Sequence, residues 1–442
     1  MAVINPQNDL NQNPRITWEG CSVLLDINDG DRLEFARLSA ASTLKIGDKK
    51  CSLQPLVGCP FGSSFQVETG EKGPYLSRIL AASEGDSQEK SDTQSKGETK
   101  DNRALVDNNS AQSLSGQDID ALRRQGASGD EIVEALIANS STFDTKTSFS
   151  QEKYRIKKQK KYAPRVLLRR PFSRSICEAY FKNYPARIGH LRLDTLSLLL
   201  STANVSAYSD VLVVDMVGGL LTGAVAERLG GHGYVCNAYF GVKQYQIDIV
   251  RIFNFNDKIC SSILQSTISD LSSSQTTNSS ENPVIQTETA PIVSGEPSSI
   301  ADAVPMSIDE TDAPSSVRKT CKPPKPGEKP TKAIIDSWKS NGFSSLIIAA
   351  PELDTWSTIQ DVLPLLASSA PFSVYHQYLQ PLATCMHKLQ AGKMAISLQI
   401  TEPWLREYQV LPLRTHPFMQ MSGFGGYILS GIKVSGSTQA QE

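Results

Sequence analysis

The residues with the clearest potential for chemistry belong to a glycine-containing turn, DMVGGLL (residues 215–221), which follows a continuous apolar run. An apolar run that ends in a carboxylate and glycines predicts a buried parallel strand entering a turn and then a helix. Glycines at such a turn let the backbone approach a nucleotide-type cofactor closely. In an acidic-x-G-x-G-x-G pattern, however, Val217 and Leu221 replace the first and third glycines. We therefore expect branched side chains where a cofactor would lie.

The second feature of a cofactor site, a carboxylate after the second strand, is also missing. The predicted second strand, GYVCNAYF, carries Tyr239 where an acid would bind ribose hydroxyls, and residues 228–247 contain no carboxylate. The two glycines of the turn are therefore expected to serve only a tight strand-to-helix connection. Asp215 is expected to be a carboxylate of the turn or of the helix N-terminus.

A basic segment, residues 153–174, offers a different chemistry. Its sequence, KYRIKKQKKYAPRVLLRRPFSR, contains no acidic residue. Ten cations lie in it: Lys153, Arg155, Lys157, Lys158, Lys160, Lys161, Arg165, Arg169, Arg170 and Arg174. Cations bind phosphates through counterion release, and the interleaved Tyr154, Tyr162 and Phe172 could stack on bases, so the segment is a candidate RNA surface. A solvated connector or a nuclear localisation signal is equally compatible with these residues. Pro164 argues against one unbroken helix, and we expect a basic strand or loop that leads into the sheet domain.

Two smaller groups carry residue types that could contact RNA. Arg414 and His416 lie in LRTHP, beside a glycine cluster, where Arg could bind phosphate or guanine and His could stack or donate. A structural turn fixed by a proline explains the same residues. Arg187, His190 and Arg192 are weaker candidates, because charges at a helix entry are common.

The predicted strands and helices that position these residues indicate a chain of mixed fold class, with an all-β part followed by an α/β part. Short apolar segments separated by turns predict a small β-barrel or sandwich at the start. Two capping-box patterns, at Ser115 and Ser128, predict short helices. The chain divides into an N-terminal β-barrel domain (1–80), a disordered insertion (81–100), a helical connector with the basic segment (101–174), and a doubly wound sheet domain (175–265 and 331–436) interrupted by a second disordered insertion (266–330). Two apolar runs near the C-terminus predict a terminal β-hairpin.

Composition excludes several classes of protein. The 442 residues carry 44 basic and 46 acidic side chains, so any anionic partner must be bound by local clusters of charge. Eight cysteines are scattered without spacing suited to zinc and are expected to be reduced and mostly buried. Neither a secretory signal nor a membrane span is expected, and a soluble intracellular protein is predicted.

Several segments together resemble the non-catalytic subunits of the eukaryotic tRNA (adenine-58-N1) methyltransferase. They are VLVVDMVGGLLTGAVAERLG, DNRALVDNN, FDTKTSFSQEKY, KKYAPRVLLRRP and LPLRTHPFMQMSGFGGYILSG. The resemblance covers most of the chain outside the two predicted insertions. It implies an N-terminal β-barrel followed by a Rossmann-like methyltransferase-type doubly wound sheet with a degenerate cofactor site.

The resemblance also implies partners. A homologous catalytic subunit would bind adenosylmethionine and methylate the T-loop adenine of tRNA, and two such pairs would form a heterotetramer in the nucleus. This chain would bind tRNA and would bind no cofactor of its own. The catalytic relatives carry an Asp-Leu-Pro-x-Pro-Trp motif after the fourth strand, and its aspartate corresponds here to Ala349.

Two other functions stay compatible with the residues. One is an active adenosylmethionine-dependent RNA methyltransferase with an unorthodox pocket, which would need another acid for the ribose; Glu227 lies on the following helix and is poorly placed. The other is a structural or translation-associated RNA-binding protein without a methyltransferase partner.

Overall fold

The computed structural model describes residues 15–70, 73–79, 112–273, 324–411, 414–421 and 423–434. The first predicted insertion, residues 81–100, lies outside the described residues, as do residues 274–323 of the second. In the described part of the chain, no helix is both long and apolar enough to cross a membrane.

An antiparallel sheet and a hairpin form the N-terminal region. Their strands are β1 (Ser22–Ile27), β2 (Arg32–Arg37), β3 (Thr43–Ile46), β4 (Lys49–Ser52), β5 (Ser64–Gly70), β6 (Gly73–Ile79) and β7 (Arg165–Arg169). The five-stranded sheet has the order β2-β1-β7-β5-β6, and β3 pairs with β4. Leu25, Cys51 and Phe65 share one buried core, because alternate residues of each strand point inward. The predicted all-β character of this region is confirmed, in the form of an open sheet covered by the hairpin.

Strand β7 lies far from its sheet neighbours in sequence. The basic strand expected after Pro164 is confirmed at residues 165–169, but its place in the connector is wrong, because it pairs with both β1 and β5 in the middle of the first sheet. Val166 and Leu168 are buried in its core, whereas Arg165 is exposed. This period of two is the pattern of a half-buried strand, and the basic residues on the outer face obscure it.

Three helices form a small unit between β6 and β7. They are α1 (Gly116–Arg124), α2 (Gly129–Ala138) and α3 (Ser148–Tyr162). Ser115 and Ser128 make the two predicted capping boxes. The expected strand or loop for the first half of the basic segment is wrong, since residues 153–162 belong to α3. Pro164 follows the helix end and therefore disturbs only its immediate neighbours.

The second domain is built on a seven-stranded sheet. Its elements are α4 (Ser173–Asn183), α5 (Leu193–Thr202), β8 (Ser209–Asp215), α6 (Leu220–Leu229), β9 (Gly233–Tyr239), α7 (Asp257–Ser262), β10 (Ile263–Thr267), α8 (Ile268–Ser272), α9 (Lys332–Asn341), β11 (Ser345–Ala349), α10 (Thr355–Val362), β12 (Pro371–His376), α11 (Leu379–Ala391), β13 (Ala395–Thr401), β14 (Tyr408–Leu411), β15 (Arg414–Pro417) and β16 (Tyr427–Lys433). Short 3₁₀ helices occur at Gln54–Leu56, Pro185–Ile188, Asp248–Phe253 and Leu363–Leu365.

The strand order of this sheet is β10-β9-β8-β11-β12-β16-β13. Neighbouring strands are parallel except around β16, which is antiparallel to both β12 and β13. Val213 packs into one core and Leu212 into another, so β8 is buried on both faces. The predicted Rossmann-like doubly wound sheet is confirmed.

One boundary of the predicted second insertion is wrong. Residues 266–273 fall within that predicted insertion, but they complete β10 and form α8, whose Ile268 and Leu271 are buried. After the undescribed residues, the backbone N–H of Gly327 donates to Ile263 at 2.9 Å and ties the returning chain to β10. The polar composition of this stretch conceals two apolar residues spaced three apart on one helix face.

The predicted terminal hairpin is also wrong. Strand β14 pairs with β15, and β16 lies between β12 and β13 in the main sheet. A central position in the sheet buries both Ile428 and Leu429. Pairing with a single hairpin strand would bury β16 less than its position between β12 and β13 does. Tertiary packing therefore determines which strands β16 pairs with.

Candidate functional site

The turn between β8 and α6 is held together by Asp215. One carboxylate oxygen accepts hydrogen bonds from the backbone N–H groups of Val217, at 2.8 Å, and Gly219, at 3.2 Å. The other accepts from the backbone N–H and the hydroxyl of Thr222, both at 2.8 Å. Burial raises the pKa of the Asp215 carboxyl, and these four hydrogen bonds oppose the rise. Asp215 is therefore the predicted helix N-terminal carboxylate.

The polypeptide itself covers the glycines of this turn. Both have left-handed backbone angles, with φ of +72° at Gly218 and +90° at Gly219. A Cβ at Gly219 would lie 2.6 Å from the Cα of Ile247, and a Cβ at Gly218 would lie 2.9 Å from the Cδ1 of Ile249. The backbone N–H of Ile249 donates to the carbonyl of Gly218 at 3.1 Å. The glycines therefore admit a neighbouring segment of this chain at van der Waals distance.

The four positions predicted to be degenerate lie in the protein interior. Val217, Leu221 and Ala349 are fully buried, and Tyr239 is 2% exposed. The carbonyl of Ala349 accepts a hydrogen bond from Met216 at 3.0 Å. This end of the sheet is consequently packed with apolar side chains. The sequence did not reveal the covering residues, Ile247 and Ile249, because two isoleucines on either side of Asp248 do not indicate which part of the chain they will pack against.

Glu227, the acid considered for an unorthodox pocket, has a structural partner. It lies on α6, and its carboxylate accepts hydrogen bonds from the backbone N–H of Ser173, at 2.9 Å, and from the Ser173 hydroxyl. Ser173 is the first residue of α4, so Glu227 satisfies a helix N-terminus from a neighbouring helix. Among the described residues, no group of acidic, His or Cys side chains is arranged to hold a metal ion.

The ten cations of the basic segment divide into two groups. Lys160 pairs with Asp31 at 2.8 Å, and Arg174 pairs with Glu178 at 2.9 Å. Arg169 lies between Asp26, at 3.3 Å, and Glu178, at 2.9 Å, at the junction of the first sheet with α4. These three cations stabilise contacts within the chain. Glu178 lies just beyond the acid-free segment, which is why the sequence did not reveal two of these pairs.

The remaining cations of the segment form no ion pair within the described residues. They are Lys153, Arg155, Lys157, Lys158, Lys161, Arg165 and Arg170. Three of them, Lys153, Lys157 and Lys161, are exposed and four residues apart on α3. Residues at this spacing share one helix face, with about 6 Å of rise between neighbours. We call them the lysine stripe.

The interleaved aromatic residues do not all face solvent. Tyr162 is 9% exposed. Tyr154 is half-buried, packs edge-on against Phe143 at 5.8 Å, and accepts a hydrogen bond from Gln112. The hypothesis that these two tyrosines stack on bases is therefore wrong, because their rings belong to the packing of the helical unit. Phe172 is 37% exposed, and base stacking by its ring stays a prediction.

The two smaller candidate groups differ in their surroundings. Arg192 is 5% exposed and binds Asp194 at 2.7 Å, so it is structural. Arg187 forms a long pair with Asp248 at 3.8 Å, and His190 is exposed. Arg414 and His416 both lie on β15, and the His416 Nδ1 is 2.8 Å from the carbonyl oxygen of Pro417.

An apolar surface lies around β14 and β15, and sequence analysis missed it. Its exposed side chains are Trp404, Tyr408, Val410, Phe418, Met419, Met421 and Phe424; Met419 is 90% exposed and Trp404 74%. The segment is anchored on α5, where Arg192 donates to the carbonyl of Pro403 at 3.0 Å and Thr195 donates to Gly425 at 2.8 Å. We call it the hairpin surface. An apolar sequence alone cannot show which side chains stay exposed.

Comparison with known proteins identifies the family. The model of the Gcd10p family matches residues 17–300. The chain belongs to the Gcd10p family. It is 34% identical to the tRNA (adenine(58)-N(1))-methyltransferase non-catalytic subunit trm6 of Dictyostelium discoideum, over 95% of this chain and 80% of that protein. It is 30% identical to the subunit of the same name from Mus musculus, over 92% of this chain and 88% of that protein.

Among solved structures, the chain was superposed on the tRNA (m1A58) methyltransferase TrmI from Aquifex aeolicus. The two chains are 11% identical and superpose with a TM-score of 0.45 over 95% of this chain and 99% of the other.

Proposed function

We propose that this chain is the non-catalytic subunit of a tRNA (adenine-58-N1) methyltransferase. The observation that carries the proposal is the covered turn between β8 and α6, where Ile247 and Ile249 contact the glycines that would otherwise approach a cofactor. Relatives at 34% and 30% identity carry this function in their names. The chain contributes tRNA binding and a partner surface, and it performs no chemistry.

Adenosylmethionine is bound by the partner, and this chain binds none. A cofactor at the covered turn would have to displace buried apolar side chains at Val217 and Leu221. It would also find Tyr239 in place of a ribose-binding acid. The target adenine would meet Ala349 in place of the aspartate of the catalytic relatives. Glu227 is already bonded to the start of α4 and is unavailable as a substitute acid.

The lysine stripe supplies the tRNA contact. Its cations are exposed and lack ion pairs among the described residues, so they can replace counterions along a phosphate backbone. Such contacts position RNA without reading its sequence, as expected for a subunit that presents many tRNA species to one catalytic site. Arg414 and His416 on β15 are a second place for RNA contact.

The hairpin surface supplies the contact with the homologous catalytic subunit. A two-stranded hairpin is marginally stable alone, and a cluster of exposed aromatic and Met side chains is typical of a protein interface. Two pairs of subunits then form a heterotetramer. Light scattering of the purified complex tests this stoichiometry: a mass of one pair would contradict the tetramer and leave the pair intact.

The complex acts in the nucleus, and the basic segment serves as a nuclear import signal in addition to binding tRNA. A fluorescent fusion of the full chain should concentrate in the nucleus. The same fusion with Lys157, Lys158, Lys160 and Lys161 replaced by Ala should lose that preference. A cytoplasmic distribution of the unaltered fusion would contradict the assignment.

Reconstitution tests the proposed function as a whole. The catalytic subunit alone, this chain alone and the two together are incubated with tRNA and labelled adenosylmethionine. Methylation at adenine 58 should require the catalytic subunit and should rise strongly when this chain is added. Methylation by this chain alone, or full activity without it, would overturn the proposal.

A further inference from the structure

Tyr162, the last residue of α3, has three cations around its ring. The Lys161 Nζ lies 5.1 Å from the ring centroid, the Arg123 Cζ 5.7 Å and the Lys158 Nζ 5.9 Å. The face of an aromatic ring attracts a cation at such distances. Three cations around one ring also repel one another, so the cluster is not explained by packing alone.

A fourth cation adjoins this cluster from the first sheet. A cavity of about 110 Å³ lies between β4, β5 and the start of α2, and its lining includes Lys49, Arg123 and Tyr162. The Lys49 Nζ donates to the Thr69 hydroxyl at 2.6 Å. Burial lowers the pKa of Lys49, and the charge of Arg123 lowers it further. Two cations therefore face one small, partly enclosed space.

Two carboxylates lie nearby, and neither forms a buried ion pair with these cations. Asp120 pairs with Arg123 at 3.2 Å, but both side chains are solvent-exposed, and such pairs contribute little. Glu68 lines the cavity and accepts a hydrogen bond from Tyr75 at 2.7 Å. Within the described residues, Lys49 forms no ion pair.

We propose that Lys49 and Arg123, which line the cavity, form one phosphate-binding site with Lys158 and Lys161, which contact the Tyr162 ring from outside the cavity lining. The site holds a backbone phosphate of the bound tRNA. The inference rests on the proposed tRNA-binding function and adds two residues from elements distant in sequence. A phosphate relieves the mutual repulsion of the four cations and releases counterions. The cavity is smaller than the roughly 300 Å³ at which pockets for whole small molecules begin, so it fits a single group rather than a base.

Arg123 is the residue that tests the site, because it lies on α1, outside the basic segment. In the complex with the catalytic subunit, Arg123→Gln should reduce the slope of log tRNA affinity against log salt by about 0.7–0.9. Arg124→Gln is the matched control: this neighbour is exposed, lies outside the cavity lining and should leave the slope unchanged. Equal slopes for both variants would overturn the proposal.

A second measurement needs no variant. Lysine acetylation of the unaltered complex, followed by mass spectrometry, should modify Lys49 in the free complex, because its lowered pKa leaves more neutral amine. Saturating tRNA should protect Lys49 and leave the exposed Lys393 reactive. If Lys49 is acetylated equally with and without bound tRNA, the proposed phosphate-binding site is wrong. If the unaltered complex binds no tRNA at all, the proposed function fails first.

Discussion

The turn between β8 and α6 and the helix α3 both carry residue types that bind ligands elsewhere, yet they differ in how those residues are satisfied. At the turn, each carboxylate oxygen of Asp215 accepts hydrogen bonds from its own chain, and Ile247 covers the glycines. On α3, the lysine stripe is exposed and lacks ion pairs among the described residues. One region uses its bonding capacity within the fold, and the other keeps it available.

This difference distinguishes a surface that can bind a ligand, on α3, from a turn whose polar groups are already bonded within the protein. A glycine turn after a strand indicates only that the backbone lies close to another group, which can be a ligand or another part of the protein. Here the close neighbours are Ile247 and Ile249, at the start of the 3₁₀ helix Asp248–Phe253, so the turn is a packing feature. A cation contributes to binding only where no partly buried carboxylate in the fold already holds it. Arg169 fails this criterion, because its partners Asp26 and Glu178 are mostly shielded from solvent, although it belongs to the same basic segment.

The largest expected effect is on the turn, where Asp215→Ala should lower the free energy of unfolding by more than about 3 kcal/mol. Three buried N–H groups and a hydroxyl lose their acceptor, and each unpaired buried group costs about 1–3 kcal/mol. Urea denaturation measures the change. Asp248→Ala is the control, because its carboxylate is half-exposed and forms only a long pair. Similar losses for the two variants would mean that Asp215 does not organise the turn.

A smaller effect should follow Glu227→Ala, which removes the acceptor at the start of α4. Loss of a cap at a helix N-terminus costs about 0.5–2 kcal/mol. In the reconstituted complex, methylation of tRNA per folded molecule should stay unchanged. Unchanged stability together with lost methylation would assign Glu227 to chemistry. The region around the β8–α6 turn would then not be purely structural.

The smallest effect on stability is expected for the lysine stripe. Replacing Lys153, Lys157 and Lys161 with Ala should change the free energy of unfolding by less than about 0.5 kcal/mol. The slope of log tRNA affinity against log salt should fall by about 0.7–0.9 for each phosphate that the variant no longer binds. Binding measured at three salt concentrations gives this slope.

The control for the stripe is a variant of equal charge, with Lys332, Lys388 and Lys393 replaced by Ala. These exposed lysines lie on the second domain, and their replacement changes the net charge without touching α3. Equal reductions in slope would show that the total charge, rather than the stripe, attracts tRNA.

Patterns that span a few residues are reliable guides to this fold. The capping boxes at Ser115 and Ser128 form as expected, because each needs only residues three apart. The apolar run of β8 and the carboxylate of Asp215 also take their predicted places. Each of these features is determined by neighbours within one turn of helix or one strand.

Features that depend on distant partners escaped sequence-based prediction. The sheet position of β7 depends on β1 and β5, and that of β16 depends on β12 and β13. The pairing of Arg169 depends on Asp26, which lies far away in sequence. The cluster around Tyr162 likewise joins Arg123 of α1 with the lysines of α3. Composition describes none of these contacts, because they form only when separate elements pack.

We propose a covered turn in this chain at the place where a catalytic partner would carry a cofactor site. Calorimetric titration of adenosylmethionine into the reconstituted complex tests it most directly, because the titration counts sites. We expect one cofactor for each pair of chains and no saturable binding to this chain alone. One cofactor for every chain, or saturable binding in the low micromolar range to this chain alone, would contradict it.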